Sequence, residues 1–192
     1  MTYISHSFPL ININDFKYLS QIHHGEKMGG KASKDKGKAA ERELGTILGN
    51  ALGGNFERVP FSGAFIGGVN AHRKARMDED QIRVSKSDLI PPSHLKKLVV
   101  ESKFYKEFPY HAFALNKDIP LLDGWIADLE HDCDDGDVGI LCVKINRKGW
   151  FICVKEDYNF TLPNHSVYKG YVVTDLHWFL ERNKERILHI AS

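Results

Sequence analysis

The sequence holds only three cysteines, Cys133, Cys142 and Cys153, and no C-x-x-C pair. Three scattered thiols build no disulfide framework and lack the paired spacing of a structural zinc site. No run of 18 or more apolar residues occurs, so no transmembrane helix is expected. The opening residues carry no basic stretch followed by an apolar one, and a secretory leader is not expected. A reduced, cytoplasmic protein is the expectation. Charge of one sign is lacking too: Lys and Arg number 26 against 25 Asp and Glu, a formal net charge of +1. A protein that holds DNA by overall charge is strongly basic. Any nucleic-acid contact must therefore come from a local patch.

Other chemistries lack their signatures as well. Gly63, Gly67 and Gly68 are followed by no G-K-[ST], so no nucleotide cofactor is expected. The ten histidines are scattered, with no H-E-x-x-H and no paired metal spacing. Asp132, Asp134, Asp135 and Asp137 lack the spacing and terminal Glu of a calcium loop and read as a turn.

What is present is globular: 42% apolar and 27% charged over 192 residues, enough for one domain with an appended arm. Residues 1–33 show no clean periodicity and read as an N-terminal extension, leaving 34–192 as the domain. Apolar residues at helical spacing predict a helix over about 36–52, stopped by Gly53-Gly54. Strands are expected over 56–61, 87–90 and 97–104. A second helix follows over 119–133, then a turn at 134–137 and a hairpin of 138–145 with 150–154. A strand near 171–173 precedes a last helix from Asp175, its N-cap, to Ile190. This order predicts an α/β sandwich of two or three layers around a central mixed sheet.

The chemistry concentrates in Lys97-Leu-Val-Val-Glu-Ser-Lys103. Alternation along a strand puts Val99, Glu101 and Lys103 on one face. Alone, an acid and a lysine two residues apart read equally well as an ordinary salt pair. Asp88 changes the balance. If 87–90 lies beside 97–103, its carboxylate meets that of Glu101, and two close carboxylates raise each other's pKa. A hard divalent cation removes that penalty, and magnesium favours one or two carboxylates with waters and a phosphate oxygen. Lys103 can then offset charge developing on a phosphate. On the first helix, Glu41 leads the stripe formed by Leu44, Leu48 and Leu52, while Arg42 and Glu43 project off it. A carboxylate there completes an acidic site or merely complements the helix dipole. The stretch Lys27–Arg42, which includes Lys38, is either a DNA contact or a solvated arm. The long excursion 65–86, with Arg73 and Lys74, is a candidate DNA-contacting loop. It also carries Asp78 and Asp80, which compete with Asp88 as the first acid.

These residues resemble a known family. Lys36-Gly-Lys-Ala-Ala-Glu-Arg-Glu-Leu44 looks like the opening helix of archaeal-type Holliday junction resolvases, within the PD-(D/E)xK nuclease superfamily. Arg58-Val-Pro-Phe-Ser-Gly-Ala64 resembles the segment that follows. Ser87-Asp-Leu-Ile90 and Val100-Glu-Ser-Lys103 resemble the two halves of the PD-(D/E)xK motif, with twelve residues between Asp88 and Glu101. The pair 138–144 and 149–154 looks like the family's late hairpin. The likeness runs in order over about 36–155, with Ser87 where the motif name has proline. The insertion and the extension point to a phage or mobile-element relative.

The resemblance implies a restriction-endonuclease-like core and DNA phosphodiester hydrolysis with Mg2+, Mn2+ substituting. It assigns Asp88, Glu101 and the Ser102 carbonyl to the metal, Lys103 as the catalytic lysine and Glu41 as the helix contribution to the acidic site. Arg42 and Ser62 would lie near the DNA backbone, together with Arg58. Resolvase members are homodimers that cut four-way junctions. The alternatives are a phage nuclease of the same fold without junction preference and an inactive DNA-binding module.

Overall fold

The computed structural model describes residues 30–59, 77, 87–162 and 164–192. Helix α1 spans Gly30–Leu52. It starts six residues before the expected Lys36, because Lys31, Ala32 and Lys34 are good helix formers that outweigh the nearby glycines. It ends as expected at Gly53 and Gly54, both at positive φ (83° and 82°), where the Gly53 N–H donates to the Gly49 carbonyl at 2.9 Å. Of the strand expected over 56–61, only β1, Glu57–Arg58, forms within the described residues. It pairs antiparallel with β2, Leu89–Ile90.

The long strand β3, Leu98–Tyr105, is followed by a one-turn helix α2, His111–Ala114, and by α3, Pro120–Asp132. The hairpin β4, Val138–Ile145, and β5, Gly149–Lys155, comes next. After it come β6, Ser166–Tyr168, β7, Tyr171–Asp175, and α4, Leu176–Ile190. Neither α2 nor β6 carries enough periodicity to be read from sequence: one is four residues long and the other three. The sheet order is β3-β4-β5-β7-β6, with β3 and β4 parallel and every other pair antiparallel. It is the expected mixed sheet, and β3 is one of its edges.

Alternation along the strands divides the apolar residues into two cores. Val100, Ile140, Cys142 and Ile152 pack with Leu44 and Leu48 of α1 and with Phe179 and Ile187 of α4. Val99, Leu141, Val143 and Phe151 pack with Leu122, Trp125 and Leu129 of α3. The molecule from Asp35 to Ser192 is one compact unit of three layers: α1 and α4, the sheet, and α2 with α3. Strands β4 and β5 read as nearly unbroken apolar runs because both of their faces are covered. Among the described residues no helix is long and apolar enough to cross a membrane.

Asp175 caps α4 as expected: its side chain accepts from the Trp178 N–H at 2.8 Å. Replacing it with Ala removes one helix-terminal acceptor. Asp175→Ala is expected to lower unfolding free energy by about 1 kcal/mol, read as a fall in melting temperature of roughly 2–4 °C; an unchanged melting curve would count against the cap.

Candidate active site

The site is built on the free edge of β3. Asp88 is fixed there by its backbone at two points. Its N–H donates to the Val100 carbonyl at 3.0 Å, and its carbonyl accepts from the Val59 N–H at 2.9 Å. The Asp88 carboxylate then accepts from the Ser102 N–H at 2.9 Å. Buried Ser87 closes the turn from its hydroxyl to the Leu89 carbonyl at 2.6 Å. The segment 87–90 thus lies beside 97–103, the neighbouring arrangement on which the acidic site depends. In a strand, one residue's N–H and C=O point to the same side. The Ser102 carbonyl therefore also lies on this edge, on the side of Asp88.

Glu101 and Lys103 share the strand face that looks toward α3. Glu101 is buried at 8% exposure. Burial, and then the nearby charge of Asp88, push its carboxyl up to about 7, with Lys103 opposing. The Lys103 ammonium lies 2.7 Å from Glu101 Oε1 and 2.9 Å from Asp128 Oδ2. Burial alone would lower its pKa, but these two carboxylates outweigh it and raise it above the ordinary lysine value. Lys103 is thus a cation held between two acids of different elements.

Glu41 sits half-buried on α1 at the edge of the Leu44 and Leu48 stripe. Burial, and then the Asp88 charge, raise its pKa, while Arg58 opposes. Arg58 Nε donates to Glu41 Oε2, so the arginine expected at the DNA backbone is engaged with the acid of the first helix. Asp88 acts electrostatically on both Glu41 and Glu101. Among the described residues no three His, Cys, Asp or Glu side chains are gathered into one metal-holding group. The nearest donor set is the Asp88 and Glu101 carboxylates with the Ser102 carbonyl. That set fits magnesium, which takes one or two carboxylates and keeps its waters. The crowding of two carboxylates, one of them buried, is the strain that a divalent cation relieves.

Lys38 and Arg42 are exposed on α1. Ser62, Arg73 and Lys74 lie outside the described residues, as do Asp78 and Asp80. Glu43, off the apolar stripe as expected, accepts from Trp150 Nε1 at 2.9 Å and pairs with Lys144. Burial pushes its carboxyl up, but these two partners prevail and hold it below the ordinary value.

The family model described as "Phage putative PDDEXK endonuclease" matches residues 32–189. The chain belongs to this PD-(D/E)xK endonuclease family. No curated protein and no solved structure matches the chain. The match runs into α4. Asp128, which pairs with Lys103, is the residue of this candidate site that sequence reading missed. Its signal was faint: it lies off the α3 stripe of Leu122, Trp125, Ile126 and Leu129, and nothing in the sequence says which strand that side of the helix faces.

Two outcomes follow from this geometry. Glu101 binds its proton more tightly folded than unfolded, so the native state carries the extra proton between about pH 4.5 and 7. Stability of the metal-free protein should therefore fall as pH rises through that window, by roughly 3 kcal/mol in total. Denaturant titrations across the window check this, and Glu101→Gln should flatten the slope; a wild type whose stability rises from pH 5 to 7 would contradict it. For Asp128, the Asp128→Asn chain should keep its fold and lose turnover by about 10-fold through poorer placement of Lys103. Asp128→Glu should recover part of that turnover, and Asn turnover equal to wild type would remove the positioning role.

Proposed function

We propose that the chain is a magnesium-dependent endonuclease that hydrolyses DNA phosphodiester bonds, with Mn2+ substituting, and that it acts selectively on branched DNA as a homodimer. The observation that carries the catalytic part is the Asp88 carboxylate, fixed on the β3 edge and acting electrostatically on both Glu41 and Glu101. Asp88, Glu101 and the Ser102 carbonyl would hold the cation, with Glu41 supporting from α1. A divalent cation held there supplies Lewis-acid polarisation of the phosphate and a more acidic bound water.

The chain's own groups do the rest. Lys103, kept protonated between Glu101 and Asp128, offers a fixed ammonium to an anionic phosphate oxygen, a placement that costs no reorganisation as charge develops. Arg58 offsets the charge of Glu41 from β1, where it pairs in register with Leu89 beside Asp88. Lys38 and Arg42, exposed on α1, would meet the DNA backbone, with Ser62, Arg73 and Lys74 as further contacts. Junction selectivity rests on the likeness of residues 36–155 to archaeal-type resolvases. The second reading is a phage nuclease of the same fold without junction preference, and the description of the matching family favours it.

One cleavage assay separates these readings: a labelled four-way junction and a matched linear duplex, with Mg2+, for wild type and Lys103→Ala. Paired symmetric cuts on the junction alone are expected, falling by about 10²–10³-fold in the variant. Equal cutting of both substrates would keep the nuclease and remove junction selectivity. Binding without cutting in either metal would leave an inactive DNA-binding module and overturn the catalytic assignment.

A further inference from the structure

At the far end of the sheet from Lys103, the turn before β4 carries Asp134, Asp135 and Asp137. The short 3-10 helix after β5 there carries Glu156 and Asp157. At the Lys103 end, β3 runs out at Tyr105, whose carbonyl accepts from the Asn146 N–H at 2.9 Å. That bond pins the β4–β5 turn, Asn146-Arg147-Lys148, to the end of the strand bearing the site. Arg147 and Lys148 of the turn and Lys106 beside it are all exposed. None of the three has an ion-pair partner among the described residues. By contrast, Lys144, Lys155 and Lys169 nearer the sheet all have one.

The turn is also built against the local preference of its sequence. The Lys148 N–H donates to the Ile145 carbonyl at 2.9 Å, so Asn146 and Arg147 are its two central residues. Arg147 takes φ of 61°, the left-handed region that Gly or Asn holds at lower cost at this position. Yet the asparagine stands one place earlier. A long cation held in a disfavoured conformation at the rim of a site points to a role for the side chain.

From these observations we infer that the β4–β5 turn, through Arg147 and Lys148 with Lys106, is a phosphate-contacting surface for the DNA strand that leaves the active site. The inference rests on the nuclease reading above. Lys103 pairs in register with Val143, and three residues further along the chain lies Asn146 of the turn, about 10 Å along the sheet. That is roughly three steps of a DNA strand at about 3.4 Å each. A backbone lying on Lys103 therefore meets the turn a few nucleotides from the cut. The cations contact phosphates, so they add affinity and register without base preference.

The test is DNA binding by the full chain as a function of salt, with Ca2+ replacing Mg2+ to hold the complex, alongside cleavage with Mg2+. The variant Arg147→Asn/Lys148→Gln keeps the turn, since Asn accepts the left-handed conformation, and its melting curve verifies folding. Lys155→Gln at the acidic end is the control. In the double variant the slope of log affinity against log salt should become shallower by about 1.8, two contacts at about 0.9 each. KM should rise with kcat held, and the control should match wild type on every count. An unchanged salt slope and KM in the double variant, with wild type cutting DNA, would overturn the surface alone. Wild type that binds but never cuts, with the slope still reduced in the variant, would sink the nuclease reading and leave the surface standing.

Discussion

Everything at the site depends on one short contact between two strands that periodicity treats separately. Asp88 meets the free edge of β3 two ways, N–H to the Val100 carbonyl and carboxylate to the Ser102 N–H, while its carbonyl accepts from the Val59 N–H on its other side. Without a partner, the edge of β3 would present unpaired backbone groups. The strap satisfies them and, in doing so, brings an acid beside a buried acid. The same contact thus closes the sheet edge and concentrates negative charge. The ionised form of Glu101 is costly in the metal-free protein for that reason, and a divalent cation is the natural counterweight.

Around that strap, charges are balanced in pairs drawn from different layers. Arg58 answers Glu41, Asp128 answers Lys103 from α3, and Lys144 with Trp150 answers Glu43. Each pair joins a helix to the strand region beneath it. The site residues are therefore held by a framework in which both cores take part, with α1 on one side of the sheet and α3 on the other. Such a framework suits a reaction in which the protein's part is to place charges and keep them placed.

Much of this was legible from residues alone. The strand carrying Glu101 and Lys103, the long hairpin, the end of α1 at Gly53-Gly54 and the Asp175 cap follow from alternation, glycine chemistry and capping. These are local effects, decided within a few residues. The early start of α1, the short β6 and the one-turn α2 were not legible. Short elements leave too few residues for a period to show, and α1 begins in a stretch whose glycines signal a loop while its lysines and alanine favour helix.

The sequence by itself determined which residue types could do the chemistry and, through strand alternation, that Glu101 and Lys103 share a face. Their order along the chain also marked the family. Only the tertiary structure decided who partners whom: Arg58 with Glu41, Asp128 with Lys103, Glu43 with Lys144 and Trp150. It also decided that Lys106, Arg147 and Lys148, without ion-pair partners among the described residues, stand at the Lys103 end of the sheet. The reason is physical. Propensity and alternation act over one or two turns of chain, whereas an ion pair between residues 25 or 101 positions apart exists only once layers pack and bring the two side chains within reach.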